Sequence, residues 1–177
     1  LELAGVLGVD REVGGQAGHH GDAQTTEERE QIAPDHGHDH KDRVKGVGRT
    51  GGWLGEAVTM VPGSSDWYER GFITYTYISK RELLGIKRQT LDKFGAVSEQ
   101  TVRDMAAGAL KNSHAQMAVS VSGTAGPSGG TRDKPVGTVC FAWALKNGRV
   151  ASETQHFKGD RRAVRRKAVV RALQGML

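Results

Sequence analysis

The sequence offers one cysteine, Cys140, among 177 residues. An internal disulfide is therefore excluded, and a reducing, cytoplasmic setting is expected. No apolar run approaches the roughly 18 residues that a membrane span requires, so no membrane partner is expected. No basic-then-apolar leader opens the chain, and Leu1 in place of Met is what a trimmed or fragmentary start would give. Aromatic residues are scarce at 6%, and residues 1–47 contain none, while holding eight glycines and five of the seven histidines. Such a segment has little apolar surface to offset the entropy of ordering. Residues 1–47 are therefore expected to be a disordered or weakly packed tail. Their one helix-like stretch, Thr26–Ile32, is polar all round. The alternation His36, His38, His40 could converge on a divalent cation in an extended chain. It lacks a carboxylate or cysteine framework at ligand spacing, so no metal or cofactor is expected.

What remains is the composition of a soluble globular domain, 37% hydrophobic and 25% charged, long enough for one core. The net charge of +5 is uneven: Lys146–Leu177 carries nine Lys or Arg against Glu153 and Asp160. A basic end fits nucleic acid, but it fits a single phosphate equally well. No aromatic residues interleave the arginines, so nucleic acid is disfavoured as a partner.

From Thr50 the patterning is that of a folded α/β domain, a mixed sheet covered by helices. Leu54, Ala57, Val58 and Val61 follow helical spacing, which predicts a helix over Trp53–Met60, stopped by Pro62-Gly63. Phe72–Tyr77 is β-branched and aromatic and is predicted to be a strand. Ser79 is expected to cap a short helix, Lys80–Leu84, closed by Gly85 in the left-handed conformation. Ser98 opens a helix with the stripe Val102, Met105, Ala106, Ala109 and Leu110. Strands follow at Met117–Val121, Val136–Leu145 and Val150–Phe157, the last two joined by an Asn147-Gly148 hairpin turn. Asp160 caps a final helix whose apolar face is Val164, Ala168, Val169, Ala172, Leu173 and Met176. Cys140 lies within an apolar strand and reads as core before nucleophile.

Three segments are suited to chemistry. Gly51-Gly52, at the start of the first helix, brings backbone N–H groups and a positive dipole end toward an anion or oxyanion. Ser122–Thr131 follows a strand and holds four glycines, among hydroxyls, in ten residues. Such a loop can fold closely around a phosphate or sugar. It is neither a Walker loop, having no Gly-Lys-Ser/Thr, nor a dinucleotide fingerprint, since Lys134-Pro135 leads into a strand. Third, Lys80 falls in the first turn of its predicted helix, where the dipole disfavours an ammonium. A general base is then within its reach at neutral pH, with Tyr75 sharing the proton network.

In order along the chain stand Thr50-Gly51-Gly52-Trp53, Pro62–Phe72, Gly95–Glu99, Ser122–Gly130, Lys134–Val139, Gly159-Asp160-Arg161 and Val164-Arg165. Together they resemble the CinA carboxyl-terminal domain, whose single-domain bacterial members are PncC nicotinamide-nucleotide amidases. The resemblance runs from Thr50 to Leu177, and it divides the chain into 1–47 and an amidase-like domain over 48–177. It implies a hydrolase that converts nicotinamide mononucleotide and water to nicotinate mononucleotide and ammonia in pyridine-nucleotide recycling, without metal. It implies a Ser/Lys mechanism in which a lysine activates a serine and a tyrosine assists. By motif position the lysine is Lys80 and the tyrosine Tyr75. Backbone N–H groups at Gly51 and Gly52 serve the oxyanion. Gly123, Thr124, Gly126, Gly129, Gly130 and Arg161 are the candidates for ribose and phosphate. The implied partner is a small nucleotide, and a homo-oligomer is left open. One departure stands out. Where the family pattern reads Ala-Glu-Ser-Cys before Thr-Gly-Gly, this chain has Gly46-Val47-Gly48-Arg49. Gly48 occupies the serine position, so impaired catalysis is expected. A frameshifted or misassigned start would account for it; an inactive nucleotide-binding pseudoenzyme is the alternative.

Overall fold

The computed structural model describes residues 2–9 and 49–177. Five strands form one sheet in the order β2-β1-β3-β4-β5. They are β1 (Glu2–Val9), β2 (Tyr68–Phe72), β3 (Met117–Thr124), β4 (Thr138–Leu145) and β5 (Val150–His156). Five helices surround it: α1 (Arg49–Thr59), α2 (Tyr77–Leu84), α3 (Arg88–Phe94), α4 (Glu99–Lys111) and α5 (Arg161–Gln174). The α/β class and the helix-covered sheet agree with the sequence reading. All four described ladders are antiparallel, where a sheet of mixed direction was expected.

Alternation along β4 explains the layers. Val139, Phe141 and Trp143 enter a core with Leu54 and Val58 of α1 and Val164, Ala168 and Ala172 of α5. Cys140, Ala142 and Ala144 face the other core, with Leu84, Leu91, Val102, Met105 and Ala106 of α2, α3 and α4. Large side chains fill the first interface, and small ones let α4 lie close on the second. There Ser120 Oγ donates to the Val102 carbonyl at 2.6 Å and Ser122 Oγ to that of Ala96 at 2.8 Å. Cys140 is a buried core residue. Burial pushes its thiol pKa up, against a smaller opposing pull from its hydrogen bond with Thr154 and from the Lys134 charge, so the thiolate is disfavoured.

The structure corrects three readings. Glu2–Val9 is not a loose tail but a strand, paired on one side with β2 and on the other with β3. Gly8 permits this: a Cβ there would come within 2.9 Å of the Ala115 Cβ. Residues 10–48, with the histidine cluster and Gly48, lie outside the described residues. Second, the strand predicted at Phe72–Tyr77 ends at Phe72, and a helix begins at Tyr77. Local hydrogen bonds override β propensity here. Thr76 Oγ1 accepts from the Ser79 N–H at 3.0 Å, and Ser79 Oγ accepts from the Thr76 N–H at 3.0 Å, a reciprocal capping box. Ser79 is therefore the third residue of α2, with Thr76 as the cap, and Gly85 closes the helix at φ 65° as expected. Third, α3 went unpredicted.

Candidate active site

Register places two of the three candidate segments at one end of the sheet. Phe72 of β2 pairs with Val6, and Thr124 of β3 pairs with Glu2. Both strands run antiparallel to β1, so the β2–α2 passage and the glycine-rich loop leave the sheet in the same direction. The third segment, the start of α1, is tied to α5. Thr50 is buried, and its hydroxyl accepts a 3.4 Å contact from Arg165 Nε, while the Arg165 guanidinium stands 5.2 Å from the Trp53 ring centre.

The β2–α2 passage is pinned by Ser79, whose Oγ accepts from the Tyr75 N–H at 3.0 Å as well as from Thr76. Beyond it Lys80 is wholly buried, 0% exposed, and its Nζ donates to the Tyr75 carbonyl oxygen at 3.2 Å. Lys80 is the fourth helical residue, closing the first turn as anticipated. Tyr75 itself is 43% exposed. An amine held out of bulk water in the first turn of a helix is the kind of group that can take a proton from a bound hydroxyl.

The glycine-rich loop is less open than its composition implied. A Cβ on Gly123 would meet the Thr138 carbonyl at 2.7 Å, and one on Gly130 would meet the Val136 amide nitrogen at 2.7 Å. These two glycines allow the loop to lie against the start of β4. Gly126 and Gly129 instead serve positive φ, at 76° and 92°. The carbonyl of buried Thr124 accepts from the Gly137 N–H at 2.7 Å, closing the loop at its base. Arg161, at the first position of α5, donates from Nη1 to the Gly126 carbonyl at 2.8 Å. Asp160 caps the same helix, accepting from the Ala163 N–H at 2.8 Å. Arg161 and the loop are therefore joined directly.

Sequence reasoning gave no role to two residues that the structure brings forward. Arg165 lies one helical turn beyond Arg161, and that i, i+4 spacing was the available signal. Thr74 carried none: its hydroxyl is buried yet unpaired. Among the described residues no helix is long and apolar enough to cross a membrane.

The described residues form a helix-covered antiparallel sheet, with a buried lysine in the helix after one strand and an arginine-braced glycine loop after another, an α/β fold. The model of the CinA C-terminal domain matches residues 47–177. A nicotinamide-nucleotide amidohydrolase PncC of Enterobacter agglomerans is 54% identical over 128 residues, spanning 72% of this chain and 78% of its own. The protein of that name from Escherichia coli K12 is 51% identical over 125 residues, 71% and 76% of the two chains. In structure, the competence/damage inducible protein CihA from Agrobacterium tumefaciens superposes with a TM-score of 0.70 at 44% identity, covering 72% of this chain and 78% of that one. The chain belongs to the CinA C-terminal domain family.

Proposed function

We propose that this chain binds nicotinamide mononucleotide in the manner of a nicotinamide-nucleotide amidase, with turnover impaired because Gly48 stands where the family pattern has serine. The observation that carries the reading is Lys80, wholly buried with its amine on the Tyr75 carbonyl. Relatives more than 50% identical bear the amidohydrolase name, which supports the substrate. The domain is taken as 48–177, with β1 added from the amino-terminal segment.

In this reading the family's serine hydroxyl, which Gly48→Ser would restore, attacks the carboxamide carbon while Lys80 takes its proton and Tyr75 assists. Backbone N–H groups at Gly51 and Gly52 hold the oxyanion, where preorganised donors are most effective. Ammonia leaves with the proton that Lys80 returns, and water then hydrolyses the acyl intermediate. Gly123, Thr124, Gly126, Gly129 and Gly130 shape the ribose and phosphate site, and Arg161 supplies charge-assisted hydrogen bonds. The reaction belongs to pyridine-nucleotide recycling in the cytoplasm, the setting that one unpaired thiol suits.

Gly48 itself favours a second reading, an inactive module that binds the nucleotide without turnover. Ammonia release from nicotinamide mononucleotide, measured beside calorimetric binding, separates the two. Binding with slow but measurable, Lys80-dependent release supports the impaired amidase, and binding with none supports the module. No binding at all would contradict both.

A further inference from the structure

We propose that Lys134 is a positioning residue of the glycine-rich loop: by donating to the last carbonyl of α3 it holds the loop in the form that takes the nucleotide phosphate. The inference rests on the reading of this loop as the phosphate site.

Pro127–Asp133 is exposed, and beyond Pro127 its side chains are those of serine, glycine, threonine, arginine and aspartate. Such a stretch has little apolar surface to bury, so hydrogen bonds must fix its course. Its two ends are held by different cations. Before it, the Gly126 carbonyl accepts from Arg161 of α5 at 2.8 Å. At its far end, the Thr131 N–H donates to the Lys134 carbonyl at 2.9 Å, and the Lys134 N–H donates to Thr131 Oγ1 at 3.1 Å. Residues 131–134 are thereby one turn, and half-buried Lys134 ties that turn down. Its Nζ donates to the Phe94 carbonyl at 2.7 Å, across 40 positions of sequence.

The anchor is firm. Phe94 is the last residue of α3, and the last carbonyls of a helix have no partner within it. An ammonium there makes a charge-assisted hydrogen bond at the negative end of the helix. The corner that follows is bonded in turn. The Gly95 carbonyl accepts from Ser98 Oγ at 3.1 Å and from Thr101 Oγ1 at 2.7 Å, and the Ala96 carbonyl from Ser122 Oγ at 2.8 Å. Leu91 of α3 packs in one core layer and Val164 of α5 in the other. Arg161 and Lys134 therefore hold opposite ends of the exposed stretch to opposite layers of the fold. A lysine under no such constraint extends its amine into water; this one is drawn inward to a distant carbonyl. A loop ordered before its ligand arrives avoids the entropy cost of ordering on binding. Lys134 thus acts on affinity through the loop, without touching the nucleotide.

The test compares the chain as it stands with Lys134→Met, which keeps the length and loses the donors, and Lys134→Arg, which keeps donors. Lys134→Ala is a second donor-free variant if methionine misfolds. Amide hydrogen exchange is followed by NMR at Thr131 and along the β3–β4 ladder, and nicotinamide mononucleotide is titrated by calorimetry. In Lys134→Met the Thr131 amide should exchange about tenfold faster with the ladder unchanged. Affinity should fall about tenfold, the order expected for one charge-assisted hydrogen bond, and arginine should restore most of both. Unchanged Thr131 exchange would overturn the proposal. So would acceleration shared equally by the ladder, which is what a general loss of stability gives, and so would a loosened Thr131 amide with affinity intact. A loosened Thr131 amide in a protein that binds no nicotinamide mononucleotide in any form supports the brace and counts instead against the nucleotide reading.

Discussion

Arg161 Nη1 donates to the carbonyl oxygen of Gly126 at 2.8 Å, so the first turn of α5 and the glycine-rich loop are one braced unit. On the proposed function the same guanidinium also faces the nucleotide phosphate. Arg161→Ala should weaken binding of nicotinamide mononucleotide about tenfold or more. Arg161→Lys should recover only part of this, because an ammonium lacks the planar fork. Calorimetric titration checks it, and equal affinity in Arg161→Ala would remove the residue from the site.

A test of how α2 is held comes from Gly108, in the interior of α4. Alanine is the better helix former by about 1 kcal/mol, so helix propensity alone predicts stabilisation. A Cβ at this position would overlap the carbonyl of Leu84, the last residue of α2. Overpacking of this sort typically costs about 1–3 kcal/mol, and the steric term wins. Gly108→Ala is expected to lower the denaturation midpoint and, by displacing the helix that carries Lys80, to weaken any restored activity. A raised midpoint would show that the two helices are not in close contact.

Glu153 and Arg171 form a two-pronged ion pair, with both N···O distances 2.7 Å, and Arg171 also lies 4.9 Å from the Trp143 ring centre. Hydrogen bonding from Arg171 holds the Glu153 carboxyl below the ordinary glutamate value of 4.5, with partial burial opposing and Gln155 assisting. A depressed carboxylate contributes stability above its unfolded pKa and loses it as pH falls through the folded one. The original chain should therefore lose stability more steeply than Glu153→Gln as pH falls below about 4.5. The pair is partly exposed, so solvent screening limits the difference near neutrality to about 1 kcal/mol or less. Melting curves across the acid range measure it, and parallel curves would mean the pair is energetically idle.

The parts of the fold that were legible in the sequence are those where one physical signal acts unopposed. The stripe from Val102 to Ala109, the Ser98 cap and the Asn147-Gly148 turn fall in α4 and between β4 and β5 as read. The β2–α2 passage carried two opposing signals. Ile73, Thr74, Tyr75 and Thr76 have β-forming side chains, but the Thr76–Ser79 capping box decides the backbone. Helix α3 has only Leu91 buried and no side-chain cap, too little periodicity to see; tertiary packing holds it. Strand β1 was hidden by the glycines and histidines averaged with it over 1–47. The first-turn places of Lys80 in α2 and Arg161 in α5 were legible by position. Thr74 was not, because a threonine without a partner looks the same in sequence as one with a partner.

The account turns on a base without its nucleophile, and ammonia release from nicotinamide mononucleotide tests this most directly. It should be measured on the chain as it stands, on Gly48→Ser, and on Gly48→Ser with Lys80→Ala. Loss of a nucleophile lowers turnover by several orders of magnitude, leaving only the contribution of binding and the oxyanion donors. The unmodified chain should be nearly inactive and Gly48→Ser measurably faster, with the gain abolished when Lys80 is also removed. Restoration is expected to be partial, since Arg49 stands where the family pattern has cysteine. Substantial activity in the unmodified chain, independent of Lys80, would contradict the account and assign the reaction to a different nucleophile.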